Sequence, residues 1–276
     1  MSSRRHLIAC LAGNGVGPEL MAQASRAIAA AARPHGLRLD EVHPPFGSEA
    51  FMRVGHPLPW STRRAYREAD AVLVAGEDPA VAGVEADLDL RAGLVRVLVP
   101  GHADLALVFP LGEGSDEWAA ERAFELACTR RGRLAAVGAD VAGLADHWPG
   151  LDVGRLSRSP AAALIANEPR RFDVVLTDRA LAETLAHVVA FAAPGRLVAF
   201  GRLSPAGPGL FFPDHGGGDE EPGQGMADPG PVLLAAALAL GEGLGERPAA
   251  RTLEAALTAA PLASGTPRPA SPTASS

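Results

Sequence analysis

The sequence predicts an α/β protein, and three observations carry that expectation. Short apolar runs of strand length alternate with stretches of helical spacing along most of the 276 residues. The first run, His6 to Leu11, passes through Gly13-Asn14-Gly15-Val16-Gly17 into a helix that sets Leu20, Met21, Ala24 and Ile28 at helical spacing. Hydrophobic residues make up 47% and charged residues 21%, enough apolar surface for one large domain or two intimately joined ones.

Composition narrows the functional classes. No apolar run reaches membrane-spanning length, and the N-terminus MSSRRHLIACLAG passes from two arginines straight into a strand without a cleavage pattern, so a cytoplasmic protein is expected. A formal net charge of −7 argues against general affinity for nucleic acid or an anionic membrane. Cys10 and Cys128 give no disulfide framework and are expected in the core. All 25 basic residues are arginine, and Tyr66 is the single tyrosine. Arginine does not surrender its proton at working pH, so it cannot inherit acid–base work from a lysine.

The elements follow in order. Pro18 suits the first turn of the first helix, and the G-x-G-x-G run before it lacks the G-x-G-x-x-G spacing of dinucleotide-binding turns. A second strand is expected from Arg38 to Pro45. Pro57 and Pro59 then hold an extended approach to a helix capped by Ser61 or Thr62, and a strand follows from Ala69 to Gly76. A helix over Trp118 to Arg131 leads into a strand ending near Val137, Pro160 to Asp178 reads as a helix and a buried strand, and Arg196 to Phe200 as another strand. Phe211 to Pro229, FFPDHGGGDEEPGQGMADP, is a glycine-rich loop on the N-terminus of a helix from Val232 to Gly241, a natural place for an anion or nucleotide. A last helix is expected over Ala249 to Ala259, and Ala263 to Ser276 is expected to be disordered.

Several of these stretches carry a resemblance. His215, Gly216, Gly223, Gly225, Ala227 and Pro229 keep the order and spacing of HGSAPDIAGKGIANP, so the loop resembles the adenine-side NAD loop of the 3-isopropylmalate and isocitrate dehydrogenase family. Gly13 to Glu19 is similar to that family's GDGIGPE, Gly55, Pro57, Leu58, Pro59 and Thr62 to its G-x-P-L-P-x-x-T, and Glu121 to Val137 and Pro160 to Asp178 to two further segments. The resemblance spans most of residues 6 to 259, with deletions. It implies two α/β domains sharing a continuous sheet, the first from residues 1–90 and 195–262 and the second from 91–194, in a homodimer built through the smaller domain. It also implies NAD with Mg²⁺ or Mn²⁺, and oxidation and decarboxylation of a 2-hydroxy acid. The cofactor-binding candidates are then Glu85 on the nicotinamide side, with His215, Gly216, Glu220, Gly223 and Asp228 in the adenosine loop.

The catalytic half departs from the pattern. The family's substrate arginines fall on Val99 and Phe109, its catalytic lysine on Ala139, its partner-subunit metal carboxylate on Ser159, and its two other metal carboxylates on Glu183 and His187. Its catalytic tyrosine has no counterpart after Tyr66. A missing general acid or base costs on the order of 10²- to 10⁴-fold. Arg91 and Asp178 remain as catalytic candidates, and Glu183 with His187, four apart on one helix, as a weak metal pair or a solvated pair. Three readings are open: a family member without dehydrogenase activity that keeps a dinucleotide or related ligand, an oxidoreductase for another 2-hydroxy acid, and a regulatory or structural subunit in a heterodimer with a catalytic paralogue.

Overall fold

The computed structural model describes residues 4–76, 78–214 and 227–259. In chain order the elements are β1 (Arg5–Leu11), α1 (Gly17–Ala32), β2 (Arg38–Val42), α2 (Gly47–Val54), α3 (Trp60–Glu68), β3 (Ala71–Val74), α4 (Val81–Asp87), β4 (Ala92–Val99), β5 (Ala103–Pro110) and α5 (Asp116–Thr129). They continue as β6 (Arg133–Val137), α6 (Ala142–Ala145), β7 (Asp152–Leu156), α7 (Arg158–Asn167), β8 (Val174–Leu176), α8 (Arg179–Phe191), β9 (Leu197–Leu203), β10 (Gly209–Pro213), α9 (Gly230–Leu238) and α10 (Arg247–Ala259). No helix among the described residues is long and apolar enough to cross a membrane.

All ten strands belong to one sheet, in the order β2-β1-β3-β10-β9-β4-β5-β8-β6-β7. The block β2-β1-β3-β10 is parallel, as is the block β5-β8-β6-β7, and the antiparallel pairings of β9 with β10 and β4, and of β4 with β5, set the two blocks in opposite directions. The α/β expectation with a continuous sheet is therefore met. Side chains alternate across each strand, so the sheet has two apolar faces. One carries a single core running from Ile8 and Cys10 through Leu94 to Leu134, covered by α1, α5, α9 and α10. The other face divides into a core around Tyr66 and Val84 and a second around Phe109, Val175 and Leu185. Phe212 packs against both, which puts a seam between them.

Several expectations need correction. Phe211 is not in a loop: it is fully buried in β10, where Gly209 and Gly243 make room for its ring, since a Cβ at either would lie within 3 Å of it. Neither Ser61 nor Thr62 caps α3, which starts at Trp60, and the Thr62 hydroxyl donates to the Pro45 carbonyl. Cys128 is exposed on α5 rather than buried. The apolar run after Pro229 forms α9 and then a π turn at Ala239–Gly243. α2 and β7 were not foreseen: Gly47–Val54 buries only Gly47 and Ala50, and Asp152–Leu156 buries no residue.

On the face of the single core, a polar network ties β4, β5 and the end of α5 together. Arg96, 4% exposed, pairs with Asp104, and Arg130 reaches Asp104 at 2.9 Å and Asp173 at 2.8 Å. Burial by itself would raise the Asp104 carboxyl, but Arg96 and Arg130 bring it down from 3.8 to about 2. A carboxylate depressed on folding stabilises the fold above its unfolded value and loses that contribution as pH falls through its folded value. Asp104→Asn is therefore expected to be less stable than the native chain at pH 6, with the difference shrinking between pH 3.8 and about 2. Denaturant midpoints measured across that range check this, and a constant difference would contradict it.

Candidate active-site seam

The seam is built around one guanidinium. Arg202 stands two residues after Phe200 on β9, so both point to the divided face. The rings of Phe212, Phe109 and Phe200 lie 5.3, 5.4 and 5.6 Å from its central carbon. Its Nε meets Glu85 Oε1 at 3.2 Å and its Nη2 meets Glu183 Oε1 at 3.3 Å. Arg202 is 3% exposed, and Glu85 and Glu183 bring carboxylates to it from α4 and α8, on opposite sides of the seam. Aromatic faces add a favourable cation–π contribution to a charge that burial would otherwise penalise.

The side chains around it are committed in the same way. Glu183 Oε1 also accepts from Arg179 Nε at 2.9 Å, one helical turn away. His187 Nδ1 donates to the Glu183 carbonyl at 2.7 Å, and its Nε2 faces Asp214 at 3.5 Å. Mg²⁺ and Mn²⁺ require several oxygen ligands. A carboxylate engaged by two guanidiniums and an imidazole facing another carboxylate do not meet that requirement, so these residues do not fit the family's cation. Glu183 and His187 keep 32% and 44% of their side chains exposed, and Glu183 also belongs to the arginine cluster.

The other sequence candidates separate. Asp178 caps α8, accepting from Leu181 N at 3.1 Å, and pairs with Arg158 at 3.1 Å. Arg91 is held by Asp89 at 2.7 Å. Asp228, just before α9, accepts from Gly230 N at 2.9 Å, while His215, Gly216, Glu220 and Gly223 lie outside the described residues. Glu85 is the cofactor-side candidate that the fold brings to the seam, and there it serves Arg202. At the family's arginine positions, Val99 and Phe109 are buried. Phe109 lies opposite Gly93 in register, where any Cβ would stand 2.1 Å from its ring.

The Gly13–Gly17 turn is spoken for as well. A Cβ on Gly13 would lie 2.6 Å from the Gly76 carbonyl oxygen, and one on Gly17 would lie 1.9 Å from that of Ala12. These glycines let the loops after β1 and β3 touch. Ala139 lines a separate cavity of about 690 Å³ at the carboxyl ends of β5, β6 and β8, with Asp178 and the buried Thr177. Sequence reasoning missed Arg202, although an arginine inside LVAFGRL, in register with Phe200, is the signal that could have found it.

Comparison with known proteins fits this frame. The family model for isocitrate/isopropylmalate dehydrogenase matches residues 7–96. The 3-isopropylmalate dehydrogenase of Synechococcus sp. (strain CC9605) is 30% identical, covering 92% of this chain and 90% of that protein. The chain belongs to the isocitrate/isopropylmalate dehydrogenase family. The chloroplastic 3-isopropylmalate dehydrogenase of Brassica napus is 28% identical, over 93% of this chain and 80% of its own. Among solved structures, a beta-decarboxylating dehydrogenase from Thermococcus kodakarensis and an isocitrate dehydrogenase from Methylococcus capsulatus each superpose with a TM-score of 0.70 at 21% identity. They cover 91% of this chain and 88% and 89% of their own. The Synechococcus alignment runs over 323 positions against 276 residues here, so this family member is shortened internally.

The paired carboxylates lead to a test of stability. With Glu85→Gln or Glu183→Gln alone, Arg202 keeps one counter-charge. The double variant leaves it buried with none, a situation that costs roughly 3–5 kcal/mol. Because the two share one partner, the double variant is expected to lose more stability than the sum of the singles, by about 1 kcal/mol or more. Chemical denaturation of the four proteins measures it, and strict additivity would count against the shared role of Arg202.

Proposed function

We propose that this chain keeps the family scaffold without the family's metal-dependent oxidation of a 3-isopropylmalate-type 2-hydroxy acid. The observation that carries this reading is Arg202, which brings a fixed positive charge to Glu183, where the resemblance puts a metal carboxylate. The replacements at Val99, Phe109 and Ala139 point the same way: two clamps for a dicarboxylate and one proton-transfer group are apolar side chains. Glu85, the nicotinamide-side candidate, supports the same conclusion because its carboxylate answers Arg202. The test is a spectrophotometric assay of the purified full chain with NAD⁺ or NADP⁺, Mg²⁺ or Mn²⁺, and 3-isopropylmalate or isocitrate. No reduced nicotinamide above the blank is expected. Metal-dependent turnover that disappears in Glu183→Gln would overturn the proposal.

We also propose a homodimer formed through α8. Members of this family are typically homodimers. Val188 and Phe191, 46% and 60% exposed at the end of that helix, are a feature such an interface would cover. Light scattering should give twice the chain mass for the native protein and one chain mass for Phe191→Arg. A native monomer, or a dimer unaffected by the substitution, would contradict it.

A further inference from the structure

At the β2 edge of the sheet, three side chains of metal-binding type converge away from the seam. β1 and β2 pair in parallel, with Ile8 opposite Glu41 and Ala9 opposite Val42. One step further, Cys10 and His43 follow on the face that carries Ile8 and Glu41. The Cys10 sulfur, a Glu41 carboxylate oxygen and a His43 ring nitrogen all lie within 4.8 Å of one another, with His43 Nε2 3.1 Å from Glu41 Oε2. Among the described residues this is the group of three with ligand spacing. Its burial is graded: Cys10 is 1% exposed, while the His43 side chain is 53% exposed, so the group opens to solvent on one side.

We propose that Cys10, Glu41 and His43 form a three-ligand site for a transition-metal dication of the zinc class. One thiolate, one imidazole and one carboxylate suit a borderline-soft cation rather than Mg²⁺. Bonds of about 2.0–2.3 Å place tetrahedral ligands about 3.5 Å apart, so ligand atoms already within 4.8 Å of one another would draw together on an ion. Three protein ligands leave a fourth position for water or an incoming group, the arrangement of an open zinc site. The position at the carboxyl ends of parallel strands is one where α/β sheets bind ligands. Glu41 hydrogen-bonds the imidazole and would exchange that contact for the cation. The site is independent of the seam and of the function proposed for it.

Cobalt(II) is the probe, because a bound thiolate gives a charge-transfer band in the near ultraviolet. Chelator-treated full-length protein titrated with Co²⁺ is expected to develop that band with a stoichiometry of one, and Zn²⁺ should abolish it. Cys10→Ser should lose the band and Cys128→Ser should keep it. His43→Gln, which changes an exposed residue, should weaken Co²⁺ affinity on the order of a hundredfold while circular dichroism stays native. Should Cys10→Ser fail to fold, the Cys128→Ser and His43→Gln results decide. A native chain without the band, a band that Cys128→Ser removes, or affinity unchanged in His43→Gln would overturn the proposal.

Discussion

A buried guanidinium cannot shed its charge, and the seam on the divided face of the sheet is arranged around that constraint. Arg202 sits almost wholly out of solvent, so carboxylates and ring faces have to surround it. Glu85 comes from the short helix before β4, Glu183 from the first turns of α8, and the three phenylalanines from β5, β9 and β10. One side chain therefore links elements from both cores of the divided face. It also decides what the neighbouring groups can do, because a carboxylate held by two guanidiniums is a poor ligand for a hard cation.

The absence of lysine gives this arrangement its chemical meaning. The charge of all 25 basic residues is permanent and planar, suited to bidentate pairing and to stacking on rings, and unsuited to taking or giving protons. The opposite face shows the same habit, with Arg96, Arg130 and Arg131 gathered on Asp104 and Asp173. In both places arginine holds elements together. At the seam the outcome is a family scaffold whose central polar cluster is internally neutralised.

Much of the fold was legible in the sequence because it rests on local signals. The strand from His6 to Leu11, the turn through Gly17 and the helix carrying Leu20, Met21, Ala24 and Ile28 fall as periodicity placed them. The buried Val174–Leu176 strand likewise falls inside the stretch Pro160 to Asp178 that reads as a helix and a buried strand. The seam was less legible because it depends on long-range pairing. Glu85 and Arg202 are separated by 117 positions, and nothing near either residue announces the other. The sequence showed what the family positions had lost at Val99, Phe109 and Ala139. It did not show that Arg202 stood ready to claim Glu183, nor that the glycines of the first turn serve contact between loops. The Cys10, Glu41 and His43 group was equally hidden, since it appears only once β1 and β2 are set in register.

The most direct measurement of the central claim is a Mn²⁺ titration of the native chain and of Glu183→Gln, with free Mn²⁺ followed by electron paramagnetic resonance. If Arg202 holds Glu183 as described, the two proteins bind Mn²⁺ alike, with no saturable site attributable to that carboxylate. A one-to-one Mn²⁺ site present in the native chain and lost in Glu183→Gln would show that the carboxylate still serves a cation, and would contradict the account.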